Sequence, residues 1–490
     1  MPEKNILPEN FLNRLLLWPA VVLTLLVWSC SRQSLEVSSG PGLPPHSSYF
    51  LSIPSVDTVH VSATFSPGNG TGPVKILFPP FNADNPAITF RGNNIHALKL
   101  TNATIADSLG TSLWLGDSVQ SLMIGGKNDS FTIEYDVTFP YNPNGGPGFK
   151  TILPGRYGQA DGYFQGNYVF CVPASGTNKS SWWREALDAH VSLVSSAAGT
   201  IHGFPTQSFI CSNAYELFFL QWAISEQSVS CASSMSTIVT VSSHQPLPDV
   251  TSLICSDLTA MDRICAGTFP PLAMPRTVFL QDSGSGMEGL FSFYMANWSY
   301  ADFMSLFRPV TAHEALHTWV GIRTGDLDDP WWKEGTASYL GRLLAANVGF
   351  PKDSLRPQLV KDLSANPMAM QKALSDDYVR DHLYDKDPNL NCDVLVYDKG
   401  AQVCMILDKM IRQATGNMMT LFSKTGALCT RYDHSAFSHG QFKALLEEGT
   451  TLDLRGFFSE YIDSPGVLDT TLLSGAWHFL DSCGAFAGKP

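Results

Sequence analysis

Charge is scarce in this chain. Only 15% of its 490 residues are Asp, Glu, Lys or Arg, the formal net charge is −13, and no block of lysines and arginines occurs along it. Neutralising a phosphate backbone takes such a block, which argues against a nucleic-acid partner. Cys-x-x-Cys pairs are missing as well, so a cysteine-built zinc site is not expected. No repeat period and no long low-complexity tract is found, which sets repeat architectures aside. Ten cysteines are present, nine of them after Cys30. That number fits an oxidising compartment without the density of a disulfide scaffold, and an odd nine leaves one unpaired. Closest in sequence are Cys255 with Cys265, and Cys211 with Cys231.

Long apolar runs are also rare. "LLLWPAVVLTLLVWSC", Leu15 to Cys30, is sixteen residues long, with Lys4 and Arg14 before it. It is short for a membrane span and suits the apolar region of an export signal. Its end, Val27-Trp28-Ser29-Cys30, resembles a bacterial lipoprotein cleavage box. On that reading residues 1–30 hold the signal and Cys30 carries the lipid. The protein is then exported to the cell envelope, periplasm or outer membrane, and touches the membrane through its N-terminal anchor. An uncleaved anchor helix and ordinary cleavage with secretion are the alternatives. Asn-x-Ser/Thr sites at Asn69, Asn102, Asn128, Asn178 and Asn297 would suit a glycosylated secreted protein.

A chain of this length is expected to form two or three domains. Residues 45–175 read as strands, with alternating runs such as "DTVHVSATF" and "SFTIEYDVTF" between Gly, Pro and Asn clusters, and imply a β-sandwich-like domain. "SWWREALDAHVSLV" places Trp183, Ala186, Leu187, His190 and Leu193 on one helical side, so a helix and a domain boundary near 175 are expected. "SMSTIVTVSS" and "MPRTVFLQD" add strands before a helix-rich remainder. There "GTASYLGRLLAANVG", "KGAQVCMILDKMIRQATG" and "HGQFKALLEEG" are apolar at three- and four-residue steps and stopped by glycine. The expected class is α+β and multidomain, with residues 176–350 and a helical 351–490 completing the site.

The chemistry concentrates in "TAHEALHTWVGIRTGDLDDPWWKEG", residues 311–335. On a helix of 3.6 residues per turn, His313 and His317 project from one face and can reach a single ion. Glu314 sits at the edge of that face, which is the HExxH arrangement with the glutamate as general base. Pro309 and Gly321 bound the helix. A catalytic zinc needs a third protein ligand. Glu334 follows His317 after sixteen residues, in a helix that Asp329 can cap and Pro330 can start, among Trp331, Trp332, Tyr339 and Leu340. A lone carboxylate in such apolar company would be costly, and coordination accounts for it better. His434 and His439, five apart, are read as ordinary surface or packing residues.

"HEALHTWVGIR" and "WWKEGTASYL" resemble the gluzincin metallopeptidases, namely the glycyl aminopeptidase family and its relative, the aminopeptidase N family. The sixteen-residue gap lies closer to the former. The resemblance implies a thermolysin-like peptidase domain binding one Zn²⁺ through His313, His317 and Glu334. "VYDKGAQVCMILD" is similar to a Tyr-x-Lys-Gly segment of both families and gives Tyr397 the oxyanion-binding role. A neutral donor aimed at developing charge contributes about 3 kcal/mol in a dry site. "SGSGMEGLF" matches a substrate-binding edge strand in Gly286, Met287 and Glu288, the glutamate holding the substrate α-amino group. Ser285 and Gly289 depart from the family pattern there. Asp328 or Asp329 could orient a histidine, and Arg323 falls where glycyl aminopeptidases carry basic residues or serves the surface. "LDLRGFFSEYIDSPGVLD" looks like a closing segment of the glycyl aminopeptidase catalytic domain, and no C-terminal PDZ module is expected after it.

The implied activity is a zinc aminopeptidase releasing small N-terminal residues, Gly or Ala, from peptides. An endopeptidase of the same fold, or a catalytically weakened peptide-binding lipoprotein, is the alternative. Nothing in the sequence sets the oligomeric state.

Overall fold

The computed structural model describes residues 46–55, 58–66, 74–79, 95–102, 113–115, 118–124, 130–138, 162–166, 169–173, 186–196, 200–204, 208–225, 228–231, 236–241, 248–272, 274–281, 287–289, 292–296, 304, 308–324, 330–381 and 392–486. The export segment with Cys30 lies outside them.

Period-two patterning builds the first half. The strands are β1 (His46–Ser55), β2 (Thr58–Ser66), β3 (Val74–Leu77), β4 (Ile95–Thr101), β5 (Leu113–Leu115), β6 (Ser118–Ile124), β7 (Phe131–Thr138), β8 (Gly162–Gln165), β9 (Val172–Pro173), β10 (Ala186–Ser196), β11 (Ile201–Phe204) and β12 (Ser208–Asn213). In β2, Val59, Val61, Ala63 and Phe65 are buried while their neighbours are half-exposed, and Phe131, Ile133, Tyr135 and Val137 repeat this in β7. Each fully buried Val, Ile or Phe of this kind contributes roughly 1.5–3 kcal/mol. A six-stranded sheet runs in the order β12-β10-β1-β2-β7-β4, parallel only between β1 and β10. Ile76, Leu122 and Ile124 of a second sheet, β5-β6-β3-β9, share its core. These two sheets form the strand-rich region that the alternation implied.

One expectation is overturned here. Ala186 to Ser196 is strand β10, not part of an amphipathic helix. Leu187, Ala189 and Val191 are buried while Asp188 between them is exposed, so the same apolar residues satisfy a period of two. Because β10 pairs with β1, the first sheet takes in residues beyond 175, as far as Asn213.

Helix α1 (Ala214–Phe218) and β13 (Gln221–Ile224) follow, and then a sheet of mixed direction. It is built from β14 (Ser228–Cys231), β15 (Ser236–Val241), β16 (Arg276–Gln281), β17 (Met287–Gly289) and β18 (Ser292–Ala296), ordered β14-β15-β16-β18-β17. Helix α2 (Pro248–Cys265) makes the crossover between parallel β15 and β16. Cys231 and Cys255 form a disulfide between β14 and α2. Neither nearest-neighbour cysteine pair forms it. Cys255 and Cys265 share one helix and lie about 15 Å apart along its axis, and Cys211 is one of seven free cysteines among the described residues, not the single one that an odd nine would leave.

The remainder is helical: α3 (Arg308–Leu316), α4 (Pro330–Asn347), α5 (Lys352–Leu359), α6 (Pro367–Gln371), α7 (Asp377–Asp381), a π-helix (Val394–Lys399), then α8 (Gly400–Thr415), α9 (Leu421–Arg431), α10 (His439–Glu447), α11 (Arg455–Tyr461) and α12 (Thr470–Ser482). Helix α4 is buried nearly all round, as expected of a central helix. Two glycines let its neighbours approach. A Cβ on Gly341 would stand 2.8 Å from the His313 nitrogen, and one on Gly335 would stand 2.6 Å from the Gly400 carbonyl carbon. The Asp408 carboxylate accepts from Tyr339 Oη at 2.7 Å, Arg412 Nε at 3.1 Å and Leu421 N at 2.7 Å, tying α4, α8 and α9 together. Arg308 anchors the start of α3: its Nε donates to Asp257 Oδ2 at 2.6 Å and its Nη2 to the Val348 carbonyl at 2.6 Å.

Candidate metal centre

Helix α3 closes at Leu316, and His317 stands in the turn that follows, its backbone N–H still bonded to the His313 carbonyl at 3.3 Å. The i, i+4 relation therefore survives the helix end. The two rings meet edge to face, centroids 4.6 Å apart, with Nε2 facing Nε2 at 2.9 Å. Glu334 arrives from the second turn of α4 and sets Oε2 3.3 Å from His313 Nε2 and 3.4 Å from His317 Nε2. All three ligand atoms lie within 4.8 Å of one another. Tetrahedral zinc with bonds of 2.0–2.1 Å spaces its ligands about 3.3 Å apart, so this donor set fits the ion. Two nitrogens, one carboxylate oxygen and a remaining position describe a catalytic rather than a structural site.

The groups behind the donors fix their direction. His317 Nδ1 stands 2.9 Å from the Val320 carbonyl, which only its N–H can satisfy, so Nε2 keeps its lone pair for a metal. His313 Nδ1 faces Ser338 Oγ at 3.3 Å. Gly321, at φ +100, lets the chain turn past Lys333, whose side chain a Cβ there would meet at 2.5 Å. The Lys333 ammonium lies 3.2 Å from Glu334 Oε1. Burial alone would raise the Glu334 pKa, but Lys333 and the two histidines outweigh it and hold the carboxyl well below the usual range. His317 is 0% and Glu334 2% exposed, against 14% for the His313 side chain, so the centre opens past His313.

Glu314 is buried beside His313 and outside the donor set, as a general base should be. Tyr397 lies in the π-helix, a form that recurs at functional sites, with its ring centroid 5.9 Å from that of His313. Glu288 is placed on β17, the edge of its sheet, opposite Phe293, and this edge packs against α3. Met287 is beside it on the strand, while Gly286, Asp328 and Asp329 lie outside the described residues. Arg323 is not a surface residue. It is 3% exposed and holds Asp433 by Nε and Nη2, at 2.9 and 2.6 Å. His434 bonds buried Glu216, joining the helical half to the strand-rich one, and His439 lies 3.5 Å from Asp463.

Lys333, Ser338 and the Val320 carbonyl were not foreseen. Ser338 follows Glu334 by one helical turn, a signal the sequence does carry. The carbonyl leaves no trace in residue type.

Residues 293–461 match the peptidase family M1 domain. No curated protein matches the sequence. Among solved structures, the fold is similar to an aminopeptidase N family protein from Idiomarina loihiensis, with TM-score 0.62 and 15% identity over 88% of this chain and 78% of that one. Yeast LTA4 hydrolase in complex with bestatin gives TM-score 0.59 and 12% identity, over 88% of this chain and 69% of that one. A variant of an M1 zinc metallopeptidase from Deinococcus radiodurans gives TM-score 0.52 and 12% identity, over 88% and 96%. Of the two families that the motifs resemble, these matches fall on the aminopeptidase N side.

Proposed function

This chain is a zinc metallopeptidase carrying a peptidase family M1 domain, and on that premise we propose that it is an aminopeptidase removing small N-terminal residues, Gly or Ala, from peptides. The observation carrying the peptidase reading is the meeting of His313, His317 and Glu334 about one point, with Glu314 beside them. β17 is the last strand of its sheet among the described residues, an edge to which an extended substrate can add, and Glu288 on that strand would meet the substrate ammonium in the exopeptidase reading.

His313, His317 and Glu334 would hold the zinc, which when bound lowers the pKa of a water and polarises the scissile carbonyl. The chain's own groups do the rest. Glu314 accepts the proton of the attacking water and returns it to the leaving amine. Tyr397 donates its hydroxyl to the developing oxyanion. The Val320 carbonyl and Ser338 keep the imidazoles aimed, and Lys333 keeps Glu334 ionised. Glu288 pairs with the substrate ammonium and so measures one residue from the chain end.

Hydrolysis of a Gly- or Ala-linked chromogenic amide, free and N-acetylated, tests this reading. The free substrate is expected to turn over and the blocked one not. Equal turnover of both would make the chain an endopeptidase with Glu288 in a structural role. Stoichiometric zinc with neither cleaved would leave the peptide-binding lipoprotein.

The disulfide fits an oxidising compartment and so an exported location, while the other seven cysteines of the described residues are free thiols. No helix among the described residues is long and apolar enough to cross a membrane. Attachment is proposed to run through a lipid on Cys30, and labelling with radioactive palmitate should disappear on Cys30→Ser.

A further inference from the structure

We propose that His46, Asp188 and His190 form a second metal site, for a divalent ion of the zinc, nickel and copper class, on the outer face of the six-stranded sheet. The backbone register creates it. β1 and β10 run parallel with Ser48 opposite His190 and Ser47 opposite Ala189, which sets His46 opposite Asp188. Side chains two apart on a strand share a face, and directly opposed residues stand about 5 Å apart. His46, Ser48, Asp188 and His190 therefore make one quadrangle, on the face opposite the buried Leu187, Ala189 and Val191.

The side chains converge within it. His46 Nδ1 lies 3.2 Å from Asp188 Oδ2, and His190 Nε2 lies 3.2 Å from Asp188 Oδ1. The imidazole centroids are 4.5 Å apart, and one ligand atom from each residue falls within a 4.8 Å cluster. The two 3.2 Å separations, one to each Asp188 oxygen, are close to the spacing of about 3.3 Å between ligands of tetrahedral zinc. Ser48 Oγ stands 3.3 Å from His46 Nε2, so the second nitrogen of that ring has a partner while Nδ1 faces the cluster. Imidazole and carboxylate together select borderline transition ions over calcium or magnesium. His46, Asp188 and His190 are 40%, 51% and 42% exposed, which leaves the remaining coordination positions to water. A bound ion would clip the first described strand to one 142 residues later, closing a long loop.

The test uses the untagged full chain and Zn²⁺ alone, by equilibrium dialysis at micromolar free zinc followed by elemental analysis. Wild type is expected to hold one zinc per chain more than His190→Ala, and one more than Asp188→Asn. Either variant that folds by circular dichroism decides the matter. Gly-amide hydrolysis should be the same in both variants as in wild type. Equal zinc in wild type and a folded variant overturns the site. The readout is a difference, so it is independent of the catalytic centre: His313→Ala should lose the other zinc and keep this one.

Discussion

His313 and His317 reach Glu334 from one turn of a helix, where the carboxylate is 2% exposed, while His46 and His190 reach Asp188 from neighbouring strands, where it is 51% exposed. The donor sets are the same and the surroundings opposite. In the buried cluster each charge is felt strongly, an ammonium sits behind the carboxylate, and backbone and hydroxyl groups hold both rings. In the exposed cluster water screens the charges and the Ser48 hydroxyl is the partner of one ring. Burial thus makes a site that can do chemistry, and exposure one that can at most hold an ion.

The sharpest way to break this contrast is to remove the proton carrier that the buried cluster has and the exposed one lacks. Glu314→Gln is expected to lower kcat about 10²–10⁴-fold, the usual worth of a general base, with zinc content unchanged by elemental analysis. Loss of the metal in that variant would mean Glu314 is a ligand. His190→Ala should leave kcat alone.

The buried centre also depends on packing outside it. Arg308→Ala strands Asp257 in the interior and is expected to cost about 3–5 kcal/mol in urea unfolding, because burial already pushes the Asp257 carboxyl up and only Arg308 opposes it. Helix α3 would lose its anchor and zinc affinity should fall with it. A variant of undiminished stability would show that α3 is placed by its apolar contacts alone. Next in size, Tyr397→Phe should lower kcat by about 10²–10³ with KM unchanged, as for loss of one oxyanion donor. A change confined to KM would remove Tyr397 from the chemistry.

The two clusters differ as much in legibility. His313 and His317 are four residues apart, Pro330 marks the start of the next helix, and Glu334 sits among tryptophans, so spacing and composition point to the ligands. His46 and His190 are joined only by the register of β1 with β10, a parallel pairing that no local pattern announces. The helical periodicity of residues 181–194 hides it further. Leu187 and Val191 are four apart, which suits a helix, and with Ala189 between them they also alternate, which suits a strand. Sheet pairing decided between the two. The burial of Arg323 is hidden for a related reason: its partner Asp433 is 110 residues away.

A smaller effect concerns charge left uncompensated on the buried side. Lys399 is fully buried, its Nζ has no hydrogen-bond partner, and burial pushes its pKa down to about 8. The unfolded chain titrates near 10.5, so between these values the unfolded state binds more protons and stability rises with pH. Below pH 8 the cost of burying the charge is fully present. Lys399→Met should therefore stabilise the protein at pH 7 by on the order of 2–3 kcal/mol, an advantage that shrinks to nothing by about pH 10.5. A gain independent of pH would trace to packing instead.

The smallest effect tests the seam between the two halves that house the clusters. His434, at φ 55, adopts a left-handed backbone uncommon for a side-chain-bearing residue, and its imidazole bonds buried Glu216. That bond, with help from Asp433, raises the His434 pKa against desolvation and the nearby Arg323. A raised histidine contributes stability that is fully present below the unfolded value of 6.5 and fades as pH climbs through the folded one. His434→Gln should accordingly cost about 1 kcal/mol after solvent screening at pH 6 and less at pH 8, read from urea unfolding at the two pH values. Glutamine can still donate to Glu216, so what disappears is the charge and not the contact. A cost equal at both pH values would mean that the seam is held by shape, and that the strand-rich half and the helical half are joined there without an electrostatic link.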